Sequence, residues 1–244
     1  YWLKKEIFRL PPTMLEEKRQ GIEERDIIVA FPLDKKKGTG RVFAFLPTEV
    51  ISGLPFLLNA DFILSTNRET IQTDRPWNLW LRDCVADVAV NGFLELIQCS
   101  EYRKLAYSFI PLTDDLKVNP DFFRPICEKA CSKLSGQEVV LTEKDELALP
   151  KHTRLPSDGI RNLFSDTTDR PQALQNLHFV AKEISKYAKQ LEAIGVARYS
   201  PSDFYNALSD RDWLQSRTID WLLKLYAYFL GPNNPALLEA VQKL

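Results

Sequence analysis

The hydrophobic pattern is most regular between residues 56 and 64, where apolar and mixed positions alternate. This period of two predicts a β-strand with one apolar face packed on helices. Two shorter apolar runs of strand length, residues 27–33 and 41–46, precede it and are joined by a turn rich in lysine and glycine. The predicted core of this sheet is Ile28, Ala30, Phe43, Phe45, Phe56, Phe62 and Leu64. Short connections between the early strands indicate a sheet that is mixed or partly antiparallel.

A long amphipathic helix is predicted after this sheet, starting near Pro76, a residue that suits the first helical turn. Its apolar residues recur at helical spacing: Trp77, Trp80, Leu81, Cys84, Val85, Val88, Ala89, Leu96 and Ile97. A sheet covered by one long helix predicts the α/β (α+β) class.

The rest of the chain is predicted to be mostly helical. Residues 102–111 are ambiguous and suit a strand, and the proline-containing stretch 143–171 suggests a loop-rich connection. Apolar residues from Leu174 to Leu191 indicate one helix ending at Gly195, and further helices are expected after Ser200, over residues 213–230 and after Asn234. We therefore predict a sheet-plus-helix domain (1–112), a small mixed linker subdomain (113–171) and a helical region (172–244).

Composition indicates a folded protein, with 45% apolar and 27% charged residues. The net charge of −1 argues against a nucleic-acid partner, since such domains are usually basic. The lysines at 35–37 and the basic run at 151–154 are expected to be solvated loops. No apolar run approaches the roughly 20 residues of a membrane span, so no membrane partner is expected.

The four cysteines lack the spacing of a zinc site, although Cys127 and Cys131 lie four apart in a predicted helix. We expect buried free thiols, no metal and a reducing compartment, hence a cytoplasmic location. The chain begins with Tyr1 and ends inside a helical pattern, so we expect a fragment truncated at both ends.

Most catalytic motifs are missing from the sequence. His152 and His178 are the only histidines, and there is no serine-nucleophile elbow, P-loop or dinucleotide fingerprint. What remains is the polar tip, residues 65–72 (STNRETIQ), directly after the predicted apolar strand. Arg68 and Gln72 would point the same way if this tip were helical or turn-like, and a guanidinium suits the charge of a transferring phosphoryl group. Alternatively, Arg68 pairs with Glu69 or Asp74 and only seals the end of the sheet.

The stretches FAFLPT, SGLPFLLNADFILSTNRE and the helix that begins with Trp77 and Asn78 resemble sacsin-like proteins. These are GHKL-type ATPases related to the ninety-kilodalton heat-shock chaperones. The resemblance covers residues 27–93 and concerns the segment after the nucleotide-binding domain, so it implies a chaperone middle-domain or transducer-like fold.

The resemblance implies that Arg68 contacts the γ-phosphate of ATP, with Gln72 as its helper. Asn67 stands where the chaperones have serine. Residues expected to support the tip are Asn67, Glu69, Asn59, Trp77 and Asn78. ATP and Mg²⁺ are implied for the full-length protein, bound by an upstream domain in cis, because the adenine-pocket motifs are not recognisable in this chain.

A second hypothesis, from a different class, is a non-catalytic protein-interaction scaffold. Exposed aromatic residues in the helical part would favour it, whereas their burial would make them core. The candidates are Trp213, Trp221, Tyr226 and Tyr228. Both hypotheses leave a protein client or a second copy of the chain open as a partner.

Overall fold

The computed structural model describes residues 1–14, 16–34, 40–164 and 171–230 of the chain. The chain divides into two compact units, Tyr1–Gly136 and Gln137–Leu244. The helix Pro120–Ser135 therefore groups with the preceding sheet. The finer division at residues 112 and 171 stays a prediction.

The first unit contains a five-stranded mixed sheet with the strand order β1-β2-β5-β3-β4. Its strands are β1 (Trp2–Arg9), β2 (Glu24–Phe31), β3 (Arg41–Ala44), β4 (Leu46–Ile51) and β5 (Leu57–Asn59). All neighbouring pairs are antiparallel except β3 and β5, which are parallel. This confirms the predicted class, a mixed sheet with helices.

The prediction of which face is buried was wrong for the first two strands. Ile27, Val29 and Phe31 are buried on β2, whereas Ile28 and Ala30 are only half-buried. On the next strand the buried residues are Val42 and Ala44; Phe43 is half-buried and Phe45 is 67% exposed. Both faces of these runs are apolar in sequence, so alternation could not choose between them. In the third run Phe56 and Phe62 are buried as predicted, although only Leu57–Asn59 is regular strand and Leu64 is half-buried.

Helix α1 (Pro76–Gln98) covers the sheet, as the apolar stripe predicted. It packs against β1 and β2 and also against helix α3 (Pro120–Ser135), so Ala86, Val90 and Phe93 are buried in addition to the stripe. Between them lie α2 (Arg103–Ala106) and a 3₁₀ turn at Tyr107–Phe109, so residues 102–111 are helical and not a strand. Tyr107 is fully buried there, 5.9 Å from the ring of Phe93.

The second unit has short strands and mostly short helices. The strands are β6 (Val140–Leu141), β7 (Leu147–Ala148), β8 (Thr153–Leu155), β9 (His178–Phe179) and β10 (Ala197–Arg198). The helices are α4 (Asp158–Leu163), α5 (Ala188–Ala193), α6 (Pro201–Leu208), α7 (Arg211–Gln215) and α8 (Ile219–Leu230). Strands β9, β8 and β10 form a parallel sheet, and Phe164 lies in an aromatic core with Phe204, Trp213 and Trp221.

The single helix predicted from Leu174 to Leu191 is wrong. A 3₁₀ turn, strand β9, a second 3₁₀ segment (Lys182–Tyr187) and the short α5 occupy this stretch. The apolar residues at helical spacing are buried here by separate elements, which a periodic pattern cannot distinguish from one helix. The helix predicted after Asn234 lies outside the described residues, as do the lysines at 35–37. Among the described helices, none combines the length and apolar character needed to cross a bilayer.

Gly92 lies where α1 crosses the sheet. A Cβ atom at this position would be 2.5 Å from Cε2 of Phe31, whose ring is fully buried between Phe56 and Phe109. Gly92→Ala should therefore lower the free energy of unfolding by about 1–3 kcal/mol through overpacking, although alanine normally favours a helix.

The matched control is Gly136→Ala, where the nearest atom to the new Cβ is 3.8 Å away. Thermal unfolding of the two variants tests the prediction, because Gly136→Ala should leave the melting temperature unchanged or slightly higher. Equal melting temperatures for both variants would contradict the close packing of α1 on Phe31.

Candidate functional site

The polar tip is a hairpin loop and not a helical turn. An isolated antiparallel bridge between Leu64 and Ile71 closes it, and Ser65 N–H donates to the carbonyl of Thr70 at 2.9 Å. Arg68 N–H donates to the carbonyl of Ser65 at 2.9 Å, which makes residues 65–68 a β-turn. Hairpin loops of this length are commonly built around such a turn. Arg68 follows with a φ of 61°, a left-handed conformation that is uncommon for residues with a side chain.

A polar network within the loop holds this conformation. The Ser65 hydroxyl lies 2.7 Å from Oδ1 of Asn67, and Asn67 Nδ2 donates to Oε2 of Glu69 at 2.5 Å. Oδ1 of Asn67 also accepts a bond from the backbone N–H of Glu69 at 3.3 Å. Asn67 and Glu69 therefore bond to each other within the loop.

Arg68 is exposed and is held by backbone carbonyls. Its Nη2 donates to the carbonyls of Ala44 (3.0 Å) and Leu46 (3.4 Å), which flank the β3–β4 turn. In the described part of the chain no carboxylate lies within ion-pair distance of Arg68, so the pairing with Glu69 or Asp74 is not seen. Nε and Nη1 of Arg68 likewise have no partner among the described residues. The arrangement orients the guanidinium and leaves three N–H donors for another group.

Gln72 makes different contacts from Arg68. Its Nε2 donates to the carbonyl of Leu64 at 3.0 Å, and its Oε1 accepts a bond from Nε of Arg75 at 3.0 Å. The half-buried amide thus stabilises the base of the loop. For Gln72 to touch a ligand, this amide would have to leave the carbonyl of Leu64.

Asn78 connects the base of the tip to the first turn of α1. Its fully buried amide accepts a bond from the N–H of Ile63 and donates to the carbonyls of Ile63 and Gln72, each at 2.8 Å. The amide therefore forms the hydrogen bonds to backbone groups that a neighbouring strand would form if the sheet continued here.

Trp77 and Asn59 contact neighbouring backbone groups. The buried Trp77 donates from Nε1 to the carbonyl of Asp61 at 2.8 Å. Oδ1 of Asn59 accepts a bond from the N–H of Phe45 at 3.1 Å, beside the turn that holds Arg68. Phe45, in the β3–β4 turn, has a φ of 61° and is, like Arg68 in the tip, a left-handed residue with a side chain.

Sequence reasoning missed an arginine–aspartate cluster next to the tip. Asp61 is 4% exposed and accepts two bonds from Arg19, at 2.6 and 2.7 Å, and one from Nε of Arg25 at 2.8 Å. Both guanidinium carbons lie 5.8 Å from the ring centroid of Trp77. The only local signal was a charged residue, Asp61, in an otherwise apolar segment.

This cluster and Arg68 border one surface cavity of about 590 Å³, which we call the arginine cavity. Its charged lining residues are Arg19, Arg25, Asp61 and Arg68. Three guanidinium charges less one carboxylate charge leave two positive charges around it. Gln72 is not among its lining residues.

The other candidates offer little chemistry. Burial raises the pKa of Cys84 and Cys131 to about 11 and that of Cys127 to about 12, so these thiols stay protonated at neutral pH. The described residues contain no group of three or more His, Cys, Asp or Glu side chains that could hold a metal ion. His152 lies exposed in a 3₁₀ turn and His178 on β9.

No protein-family model matches this chain. The chain is similar to Protein NO VEIN of Arabidopsis thaliana, with 28% identity over 239 residues. The similarity covers 88% of this chain but only 9% of NO VEIN. The chain thus spans a small part of the length of the curated relative it matches.

Proposed function

We propose that the chain is the middle, transducer-type region of a sacsin-like, chaperone-related ATPase. In this proposal Arg68, with Gln72 as helper, contacts the γ-phosphate of ATP bound by a nucleotide-binding domain that precedes the chain. The observation that carries the proposal is the Arg68 guanidinium, which is exposed, oriented by two carbonyls and not paired with a described carboxylate.

The geometry of Arg68 suits a phosphoryl group in its transition state. Two carbonyls fix Nη2, and the unused N–H donors of Nε and Nη1 point in different directions within the guanidinium plane, so each can donate a single bond to a phosphate oxygen. Non-glycine residues in left-handed conformations are often found at functional sites, and both Arg68 and Phe45 have this conformation. The chain contributes cations at this place, so ATP and its Mg²⁺ would be held by the upstream domain.

A relay of nucleotide state is supported by the way the tip is attached. Asn78 bonds Gln72, at the end of the tip, to the first turn of α1, and Trp77 bonds Asp61, in the segment before the tip. Helix α1 packs along α3. A displacement of the tip on contact with ATP would therefore be transmitted to both helices. Since the chain spans 9% of NO VEIN, the activity and partners of any longer protein are part of this proposal.

Reconstitution tests the proposal. The upstream domain alone should bind ATP but hydrolyse it slowly, and the same domain joined to this chain should turn it over much faster, because the arginine is then present. Binding is measured with a fluorescent nucleotide and turnover by phosphate release. Equal turnover with and without the chain would contradict the proposal.

One observation favours the alternative, a non-catalytic protein-interaction scaffold. Ile219, Leu223, Tyr226 and Leu230 follow helical spacing on α8 and are each at least 60% exposed. Trp213, in contrast, is buried, and Trp221 packs against Phe164 in the core. A longer protein that neither binds nor hydrolyses ATP would favour this alternative.

A further inference from the structure

The arginine cavity has the charge and donors of an anion site in this chain alone. After Asp61 neutralises one guanidinium, two positive charges remain around about 590 Å³, a volume in the range of small-ligand pockets. Arg68 lies on its rim without a carboxylate partner in the described residues. A small polyanion would thus meet opposite charge on more than one side.

Arg25 is the second ligand to consider. It uses Nε for Asp61 and Nη1 for the carbonyl of Glu24, at 2.8 and 3.1 Å. Nη2 of Arg25 has no partner among the described residues. Asp61 and the ring of Trp77 fix the plane of this half-buried guanidinium, so its unused donors are held in place before any ligand arrives.

We propose that the arginine cavity binds a phosphate-type oxyanion, with Arg25 and Arg68 as its direct ligands. Arginine donates charge-assisted hydrogen bonds to phosphate, and two arginines from different parts of the fold, Arg25 on β2 and Arg68 in the tip, can share a group with several oxygens. Two net positive charges match a phosphate dianion or pyrophosphate better than a carboxylate monoanion. The proposal concerns this chain by itself and does not require the ATPase.

Asp61 sets the strength of this site. Its buried carboxylate holds Arg19 and Arg25 in place but also offsets part of their charge. Removing that charge should strengthen anion binding, provided that the chain still folds. An effect of this sign is not expected of a cluster with a purely structural role.

Calorimetric titration of the chain with inorganic pyrophosphate at low salt tests the proposal. We expect one site per chain, weaker binding of acetate, and a loss of about tenfold in affinity for both Arg25→Gln and Arg68→Gln. Asp61→Asn should bind more tightly. Because Arg68 is exposed and has no carboxylate partner in the described residues, Arg68→Gln should fold even if the Arg25 or Asp61 variants do not.

The matched control is Arg82→Gln. Arg82 also bonds to an aspartate, Asp83, and lies 5.7 Å from an aromatic ring, Phe122, but it is not among the residues that line the cavity. Its affinity for pyrophosphate should equal that of the unmodified chain. No binding by the unmodified chain, or equal losses in Arg82→Gln and Arg68→Gln, would overturn the site.

The outcome separates this site from the ATPase proposal. Pyrophosphate binding without stimulation of the upstream domain would support the cavity and contradict the ATPase. Stimulation without pyrophosphate binding would overturn the cavity alone. Titration with ADP as a second probe shows whether the cavity prefers a nucleotide to a free phosphate. The exposed ring of Phe45, which borders the same cavity, could contact the adenine base.

Discussion

Replacing Arg68 by alanine should lower ATP turnover by about 10³-fold in a protein that joins this chain to the proposed upstream nucleotide-binding domain. The affinity for ATP should change little. The guanidinium would act on charge that develops as the phosphoryl group transfers, and such interactions affect kcat more than ground-state binding. Turnover under saturating ATP and nucleotide affinity, measured on the same preparation, test both parts.

Two further substitutions separate charge from backbone effects at this position. Arg68→Lys keeps the charge but loses the planar fork, so it should recover only part of the turnover. Arg68→Gly removes the side chain and also the steric strain of the left-handed backbone at φ 61°. It should be as inactive as Arg68→Ala and at least as stable as that variant.

The control for non-specific loss of charge is Arg124→Ala. Arg124 is half exposed on α3 and pairs with Asp121 at 3.7 Å, away from the tip. It should retain normal turnover. Unchanged turnover in Arg68→Ala would refute the assigned role of this arginine.

Replacing Asn78 by leucine should destabilise the first unit by roughly 3–5 kcal/mol. The change removes three hydrogen bonds and leaves the N–H of Ile63 without a partner, which costs about 1–3 kcal/mol. The carbonyls of Ile63 and Gln72 keep backbone donors, the N–H groups of Gln72 and Arg75, so each lost side-chain bond there costs about 1 kcal/mol. Asn78→Asp keeps an acceptor for the N–H of Ile63 but places a carboxylate against two carbonyls, so it should be at least as damaging.

Hydrogen exchange and urea unfolding measure this effect. The amide of Ile63, which donates to Oδ1 of Asn78, should lose its protection in Asn78→Leu. The matched control is Asn67→Ala, because Asn67 is exposed and its side-chain bonds lie within the loop. It should change stability by less than about 1 kcal/mol. Similar losses in the two variants would show that Asn78 does not hold the tip to α1.

The two predictions are connected through the same stretch of chain. Asn78 bonds the carbonyl of Gln72 at one end of the tip, while Arg68 lies in the middle of its loop. Asn78→Leu weakens the attachment of the tip to α1. It should therefore also lower ATP turnover if Arg68 acts on ATP, because a catalytic donor must be held in place before the reaction.

Periodicity in the sequence was enough to predict α1 and the burial of Phe56 and Phe62. A long stripe at helical spacing predicts a helix, and a strand with one fully apolar face and one mixed face indicates which face is buried. The polar tip was visible in the sequence as a run of polar residues, although β5 ends at Asn59 and the tip begins only at Ser65.

Which face of the early strands is buried could be decided only from the tertiary structure. In residues 27–31 both faces are apolar, so only the neighbouring strands and α1 decide that Ile27, Val29 and Phe31 are buried. The stretch from Leu174 to Leu191 likewise has helical spacing, but its apolar residues are buried by several short elements.

The arginine cavity also required the tertiary structure. Arg19 and Arg25 are 42 and 36 residues from Asp61 in sequence, and no local pattern connects them. The same holds for Arg68, whose guanidinium is oriented by carbonyls 24 and 22 residues earlier in the chain. The sequence alone therefore determined which residues could form strands, a long helix and a polar tip. Only the packing of distant segments decided which arginines meet there and what they contact.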